Sequence, residues 1–260
     1  MSSAPAIEVR SVSKSFGHVE ALRDVSLRAP QAAVTCLLGD NGAGKSTLIK
    51  LLSGVFQPDA GTILVDDVEV AFRSPRQALD AGVSTVFQDL AMIPLMSIVR
   101  NFFLGREPTR RRVGLPLVDW PRAEELSREA LAGMGISLRD ASQPVGTLSG
   151  GERQSLAIAR ALHFGAAVLI LDEPTSALGV REAANALRHV RSVRDRGVAV
   201  VLITHNVSHA YAVGDHFVVL DRGRVRAELS RDQVTSEELH ELMAGDRELE
   251  RLLAPTSPGA

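Results

Sequence analysis

The chain has 260 residues, with 45% hydrophobic and 23% charged side chains, which suits one large globular domain or two small ones with a sizeable core. That composition excludes a disordered, collagen-like or disulfide-scaffold protein. The formal charge is −2, without the basic surplus that phosphate neutralisation along nucleic acid calls for, and only Lys14, Lys45 and Lys50 are lysines.

In chain order, IEVRSV (7–12) and DVSLRA (24–29), parted by a turn near Gly17, read as alternating, half-exposed antiparallel strands. Val34 to Leu38 follows as an apolar run ending at Gly39. Runs of this kind suit a sheet buried on both faces. Cys36 lies inside it and reads as a buried strand residue. A helix is expected from Gly44 to about Ser53, and further buried strands at Val83 to Phe87, Val168 to Leu171, Ala199 to Thr204 and Phe217 to Leu220. Residues 180–196 carry Val180, Ala183, Ala184, Leu187 and Val190 at the spacing of one helix face. Strands alternating with helices predict a mostly parallel sheet in an α/β domain.

Residues from about 89 to 164 show no convincing buried strand. They read as a mainly helical insertion, broken by a Pro- and Arg-rich loop from Glu107 to Pro121 in which Arg110 to Arg112 form a solvated run. Thr235 and Glu238 form a capping pair for a helix closed by Gly245, and the tail 246–260 is expected to be flexible. The start, MSSAPAIEVRS, lacks the basic-then-apolar order of a secretory signal. The longest apolar runs, Ala166 to Leu171 and Val198 to Ile203, are about a third of a membrane span, so the chain is not expected to cross a membrane by itself.

GDNGAGKST (39–47) fits the phosphate-loop pattern and sits between a buried strand and a helix, as that pattern requires. Gly39, Asp40, Asn41, Gly42, Ala43, Gly44, Lys45, Ser46 and Thr47 would turn their N–H groups towards phosphate, with the helix dipole adding to the attraction. Lys45 would neutralise the β- and γ-phosphates, and the Ser46 hydroxyl would ligate Mg²⁺. VLILD ends in Asp172 at a strand's carboxyl edge, where an acid can hold Mg²⁺. Glu173 follows, placed to deprotonate an attacking water. His205 comes after another buried strand and could donate to the γ-phosphate. His205 and His209 have metal-ligand spacing but no third ligand nearby, so they are not read as a metal site.

LSGGERQ (148–154) provides a second anion-binding helix start at Ser149, Gly150, Gly151 and Glu152. One domain needs only one such site per nucleotide. Two copies pairing head to tail would place each nucleotide between one copy's phosphate loop and the other's serine and glycines.

With these segments the chain resembles the ATP-binding cassette of ABC transporters over about residues 5 to 245. GDNGAGKST, LSGGERQ, VLILDEPTSAL and the ITH ending at His205 stand in the family's order. The resemblance implies an α/β fold: a RecA-like P-loop NTPase core with an N-terminal antiparallel β-subdomain and an inserted α-helical subdomain. It also implies ATP as substrate with Mg²⁺, and catalytic roles for Glu173, His205 and Gln88. Gln88, in the matching glutamine loop, would touch Mg²⁺ and the attacking water. Phe16 matches the position whose ring stacks on adenine. After DEPTSAL the family usually has Asp, whereas Gly179 stands here. That variant, with MSIVRNFFLGRE (96–107) and ITHNVSHAYAVGDHF (203–217), is similar to cassettes of ribose-, xylose- and fructose-type importers.

The partners implied are a second cassette in a homodimer, transmembrane permease subunits, an extracytoplasmic solute-binding protein and no nucleic acid, at the cytoplasmic face of the membrane. The apolar stretch from Ala91 to Leu104, with Met92, Ile93, Pro94, Leu95, Met96 and Ile98, is expected to help form the groove for a permease helix. An exporter subunit and a non-transport cassette acting on DNA or ribosomes stay open as alternatives. The second would need basic arms, a coiled-coil insertion or a further cassette.

Overall fold

The computed structural model describes residues 4–112, 115–135 and 140–243. Its centre is a six-stranded sheet in which β3 (Val34–Leu38), β6 (Val83–Val86), β9 (Val168–Asp172), β10 (Ala199–Ile203) and β11 (His216–Asp221) run parallel. β12 (Arg224–Ser230) closes one edge antiparallel to β11, giving the order β12-β11-β3-β10-β9-β6.

Alternate residues of these strands enter two different cores. Val34, Cys36, Leu38, Leu169, Leu171, Val200, Leu202, Phe217 and Val219 face one cluster. Leu37, Val168, Ile170, Ala199, Val201, Ile203, Val218 and Leu220 face the other. A strand with apolar partners on both sides reads as an unbroken apolar run, which is the pattern of these segments.

The first cluster is capped by α3 (Ile98–Phe103), α4 (Trp120–Ala132), α5 (Gly150–His163), α6 (Val180–Asp195) and α7 (Val207–Val213). The second lies under α1 (Lys45–Leu52) and a four-stranded antiparallel sheet, β2-β1-β4-β5. That sheet holds β1 (Pro5–Phe16), β2 (Val19–Pro30), β4 (Ala60–Val65) and β5 (Val68–Val70), with α2 (Pro75–Asp80) after it. A last helix, α8, spans 236–243, and its predicted cap is present. Thr235 N–H donates to the Glu238 carboxylate at 2.7 Å, and Glu238 N–H donates back to the Thr235 hydroxyl at 3.2 Å. Gly245 and the tail 246–260 lie outside the described residues.

Four sequence expectations change. The N-terminal strands are longer at both ends than 7–12 and 24–29, because cross-strand pairing continues from Pro5–Pro30 to Phe16–Val19. The Pro- and Arg-rich segment is not a loop. Within it β7 (Thr109–Arg112) pairs antiparallel with β8 (Leu115–Val118) as a hairpin, in which Leu115 and Leu117 are exposed. β4 and β5 have no counterpart in the sequence reading. Finally, the expected face of α6 holds only in part, with Ala183, Leu187 and Val190 turned to the core. Ala183, Ala186, Val190 and Val193 are buried, whereas Ala184 is exposed and Val180 is 88% exposed at the first turn. No helix among the described residues is long and apolar enough to cross a membrane.

Candidate functional site

Four segments meet at the carboxyl edge of the central sheet. β3 leads into the loop 39–44 and α1; β9 ends in Asp172 and Glu173; β6 is followed by Gln88; β10 is followed by Thr204 and His205. The loop's shape depends on glycine at two points. Gly39 has φ +151° and a Cβ there would meet Leu220 O at 2.3 Å; Gly44 has φ +105° and its Cβ would meet Ala21 O at 2.7 Å. Any side chain at these points would push the loop off β2 and β11. The amide N–H groups of Gly42, Gly44, Lys45 and Ser46 meet no acceptor among the described residues, and the α1 dipole adds positive character behind them. Asp40 closes the loop on itself, its C=O accepting Ala43 N–H at 3.1 Å and its carboxylate accepting Asn41 N–H at 3.0 Å.

Lys45 is only 8% exposed. Its ammonium donates to Gly39 O at 2.7 Å and Asp40 O at 2.9 Å. Burial pulls it below the ordinary lysine range, and the carboxylates of Glu173, Asp40 and Asp172 oppose that. Asp172 is shifted the other way. Burial raises its carboxyl above the usual range, the neighbouring Glu173 charge adds to the rise, and Lys45 and Lys50 counter it. An ammonium and a carboxylate are thus both held short of full solvation, the condition in which a bound phosphate and a bound cation have most to offer.

Glu173 has φ +48°, the left-handed region that costs a residue with a side chain some energy. It is fastened there by its N–H donating to Ile203 O at 2.9 Å. Its Oε1 accepts His205 N–H at 3.0 Å and lies 2.8 Å from His205 Nδ1, while Oε2 accepts the Thr204 hydroxyl at 3.3 Å. Gln88 Nε2 reaches the Ser176 hydroxyl at 3.5 Å, and that hydroxyl donates to Glu173 O at 3.0 Å. His209 does not join His205: its Nδ1 faces the Thr175 hydroxyl at 2.9 Å. Phe16 is 42% exposed, with its ring edge-on to Phe56 at 5.1 Å and the Lys14 ammonium 5.6 Å from its centre.

The second helix start lies elsewhere in the fold. Ser149 caps α5 in a reciprocal box, its hydroxyl accepting Glu152 N–H at 3.3 Å and its N–H donating to the Glu152 carboxylate at 2.8 Å. Ser149, Gly151 and Glu152 border a hollow shared with Glu182, Asn185, Arg188 and His189, not with the phosphate loop. The structure therefore brings Lys45, Ser46, Gln88, Asp172, Glu173 and His205 to one sheet edge and leaves Ser149, Gly150, Gly151 and Glu152 in the helical part.

Sequence reasoning passed over Asn101. Its buried amide accepts Ile93 N–H and donates to the C=O groups of Ile93, Met96 and Ser97, so it shapes the loop on which Leu95 stands 92% exposed. The stretch 91–104 thus divides: Ile98, Phe102 and Phe103 are core, while Ile93 and Leu95 face out.

The family model described as "ABC transporter" matches residues 22–176. The chain is 42% identical over 237 residues to the xylose/arabinose import ATP-binding protein of Sulfolobus acidocaldarius, covering 91% of this chain and 93% of that one. It is 38% identical to the fructose import ATP-binding protein of Rhizobium meliloti, covering 95% and 97% respectively. Against a ribose import ATP-binding protein of Streptomyces coelicolor it is 41% identical over 96% of this chain, but spans only 48% of that relative. Among solved structures, a nucleotide-free ATP-binding cassette from an ABC transporter superposes with a TM-score of 0.79 at 22% identity, covering 96% of this chain and 99% of that one.

The direction of the Asp172 shift has a consequence for stability. A carboxyl raised on folding destabilises the folded state above its folded pKa and does not below its unfolded one. Asp172→Asn is therefore expected to raise the Tm of the nucleotide- and cation-free protein near neutral pH, and the gain should vanish once the pH falls below the ordinary carboxylate range. Thermal denaturation of both proteins across that range checks it; a gain that persists in acid would contradict the burial argument.

Proposed function

The chain belongs to the ABC transporter family, and on that premise we propose that it is the ATP-hydrolysing subunit of an importer for a monosaccharide. The observation that supports sugar import is the near-full-length similarity to relatives named for xylose/arabinose and fructose import. The chemistry is read from the sheet edge.

Phe16 offers an open ring face on which adenine stacks. The N–H groups of Gly42, Gly44, Lys45 and Ser46 in the loop 39–47 face the phosphates, and the Lys45 ammonium turns from Gly39 O and Asp40 O to their oxygens. Glu173 accepts a proton from water as the water oxygen bonds to the γ-phosphorus. The bond from that phosphorus to the β–γ bridging oxygen breaks, so ADP leaves with the electron pair and phosphate forms. His205, whose Nε2 has no partner among the described residues, takes the γ-phosphate.

The Ser46 hydroxyl, the Asp172 carboxylate and the Gln88 amide oxygen are hard oxygen donors with no protein partner among the described residues, a set that fits Mg²⁺. Bound there, the ion would neutralise charge gathering on the β- and γ-phosphates.

A second copy completes each site. Its Ser149, Gly150 and Gly151 supply the remaining anion-binding helix start, with Glu152 holding that serine in place. Closure of two copies on ATP and reopening after hydrolysis make the two-state element that drives a permease. Ile93 and Leu95, on the loop after Gln88, are the apolar surface offered to a permease helix. The subunit then sits at the cytoplasmic face of the membrane through that permease, with a solute-binding protein outside.

Glu173→Gln is expected to abolish turnover while ATP binding persists and an ATP-bound dimer accumulates. Steady-state ATPase assays with size-exclusion chromatography read both, and undiminished hydrolysis would remove Glu173 as the base. Phe16→Ala should weaken ATP affinity by about 1–3 kcal/mol if its ring stacks on the base, measured by titration calorimetry. For the import reading, the subunit purified with its permease and binding protein should show ATPase activity stimulated by one monosaccharide. Stimulation by another solute class, or by none, would overturn it.

A further inference from the structure

Thr204 is 1% exposed, and its N–H and both sides of its hydroxyl are engaged at the site. Its N–H donates to Leu37 O at 3.3 Å, two residues before Gly39 opens the phosphate loop. Its hydroxyl oxygen accepts Asn206 N–H at 3.0 Å. A hydroxyl carries a single proton, and here its acceptor is Glu173 Oε2 at 3.3 Å. The two carboxylate oxygens of Glu173 are therefore held differently. Oε1 is tied to the backbone and ring of His205, an exposed side chain. Oε2 is tied to a buried hydroxyl between two β-strand ends.

We propose that Thr204 is a positioning residue for hydrolysis, holding Oε2 of Glu173 while His205 serves the nucleotide. The proposal rests on Glu173 being the base. When the His205 ring turns to phosphate, Oε1 keeps only the backbone N–H of residue 205. A carboxylate fixed through one oxygen alone can rotate about that contact and lose its aim at the water. The threonine hydroxyl supplies the second fixed point, and its anchor on β3 ties that point to the strand that carries the phosphate loop. Displacing a catalytic group slightly costs rate far more than it costs binding.

Thr204→Val removes the hydroxyl at nearly constant volume, and Thr204→Ser keeps it. The Val variant should lower kcat for ATP hydrolysis about tenfold or more, the loss that accompanies one hydrogen bond to a charged group. Its KM and ATP affinity should stay near those of the unaltered protein while its Tm falls, because Asn206 N–H loses its acceptor, and the Ser variant should restore both kcat and Tm. A Val variant with unchanged kcat overturns the proposal. So does a Ser variant as slow as Val, or a loss that appears in ATP affinity in place of kcat. If the Val variant does not fold, Thr204→Ala takes its place in the same comparison. Glu173→Gln, run alongside, separates the two ideas. An active Gln variant removes the base itself and the positioning role with it; an inactive Gln variant beside a fully active Val variant removes only the role of Thr204.

Discussion

Burial of both faces of the central sheet is the constraint from which the site follows. β3, β9, β10 and β11 send alternate side chains into two cores, so none of them can carry a charge along its length without leaving it unsolvated. Charged groups are confined to the strand ends. Asp172 is the first acid that β9 permits, and Glu173 and His205 stand where their chains leave the cores. Cys36, inside β3, shows the same rule from the other side: burial pushes its thiol far above the ordinary range and makes it an inert apolar residue.

The same boundary explains how the site is held without ligand. Lys45 satisfies its ammonium on the carbonyls of its own loop, and Glu173 satisfies its carboxylate on Thr204 and His205. Neither group is solvated as it would be in water, and Lys45 and Asp172 are shifted in the directions that desolvation alone demands. A phosphate would relieve the first and a cation the second. Binding energy is thus stored as incomplete solvation in an otherwise rigid frame, where a ligand's charge replaces contacts that the protein makes with itself.

What could be read from the sequence divides along physical lines. The buried strands and the phosphate loop were legible because burial on both faces and tight turns leave few residue choices. The hairpin β7–β8 was not, since Thr109, Arg110, Leu115 and Leu117 are exposed and the segment is arginine-rich and interrupted by Pro116, which is the composition of a solvated loop. The face of α6 was partly misjudged because Val180 was counted with the apolar side, although it lies at the helix's first turn and outside the core. Asn101 carried no signal at all, and Thr204 stood out only as the end of a buried strand and the middle of ITH. Their roles come from which carbonyl or carboxylate the fold brings beside them, and composition and spacing hold no record of that.

At Gly179 the sequence marks a departure but not its structural consequence. The glycine stands where the resemblance leads one to expect Asp, yet its backbone, φ −66° and ψ 165°, is open to any residue. A Cβ added there would meet only the Glu182 carboxylate, 3.9 Å away. Neither strain nor crowding therefore calls for glycine at this N-cap. What the position lacks is a carboxylate. Glu182 supplies one from the first turn of α6, accepting Gly179 N–H at 3.3 Å. The helix start remains capped, but the charge is turned inward onto its own chain. Glu182 also borders the hollow beside Ser149 and Gly151. The acid thus stands three residues further along the chain than the position after DEPTSAL, beside the α5 helix start at Ser149.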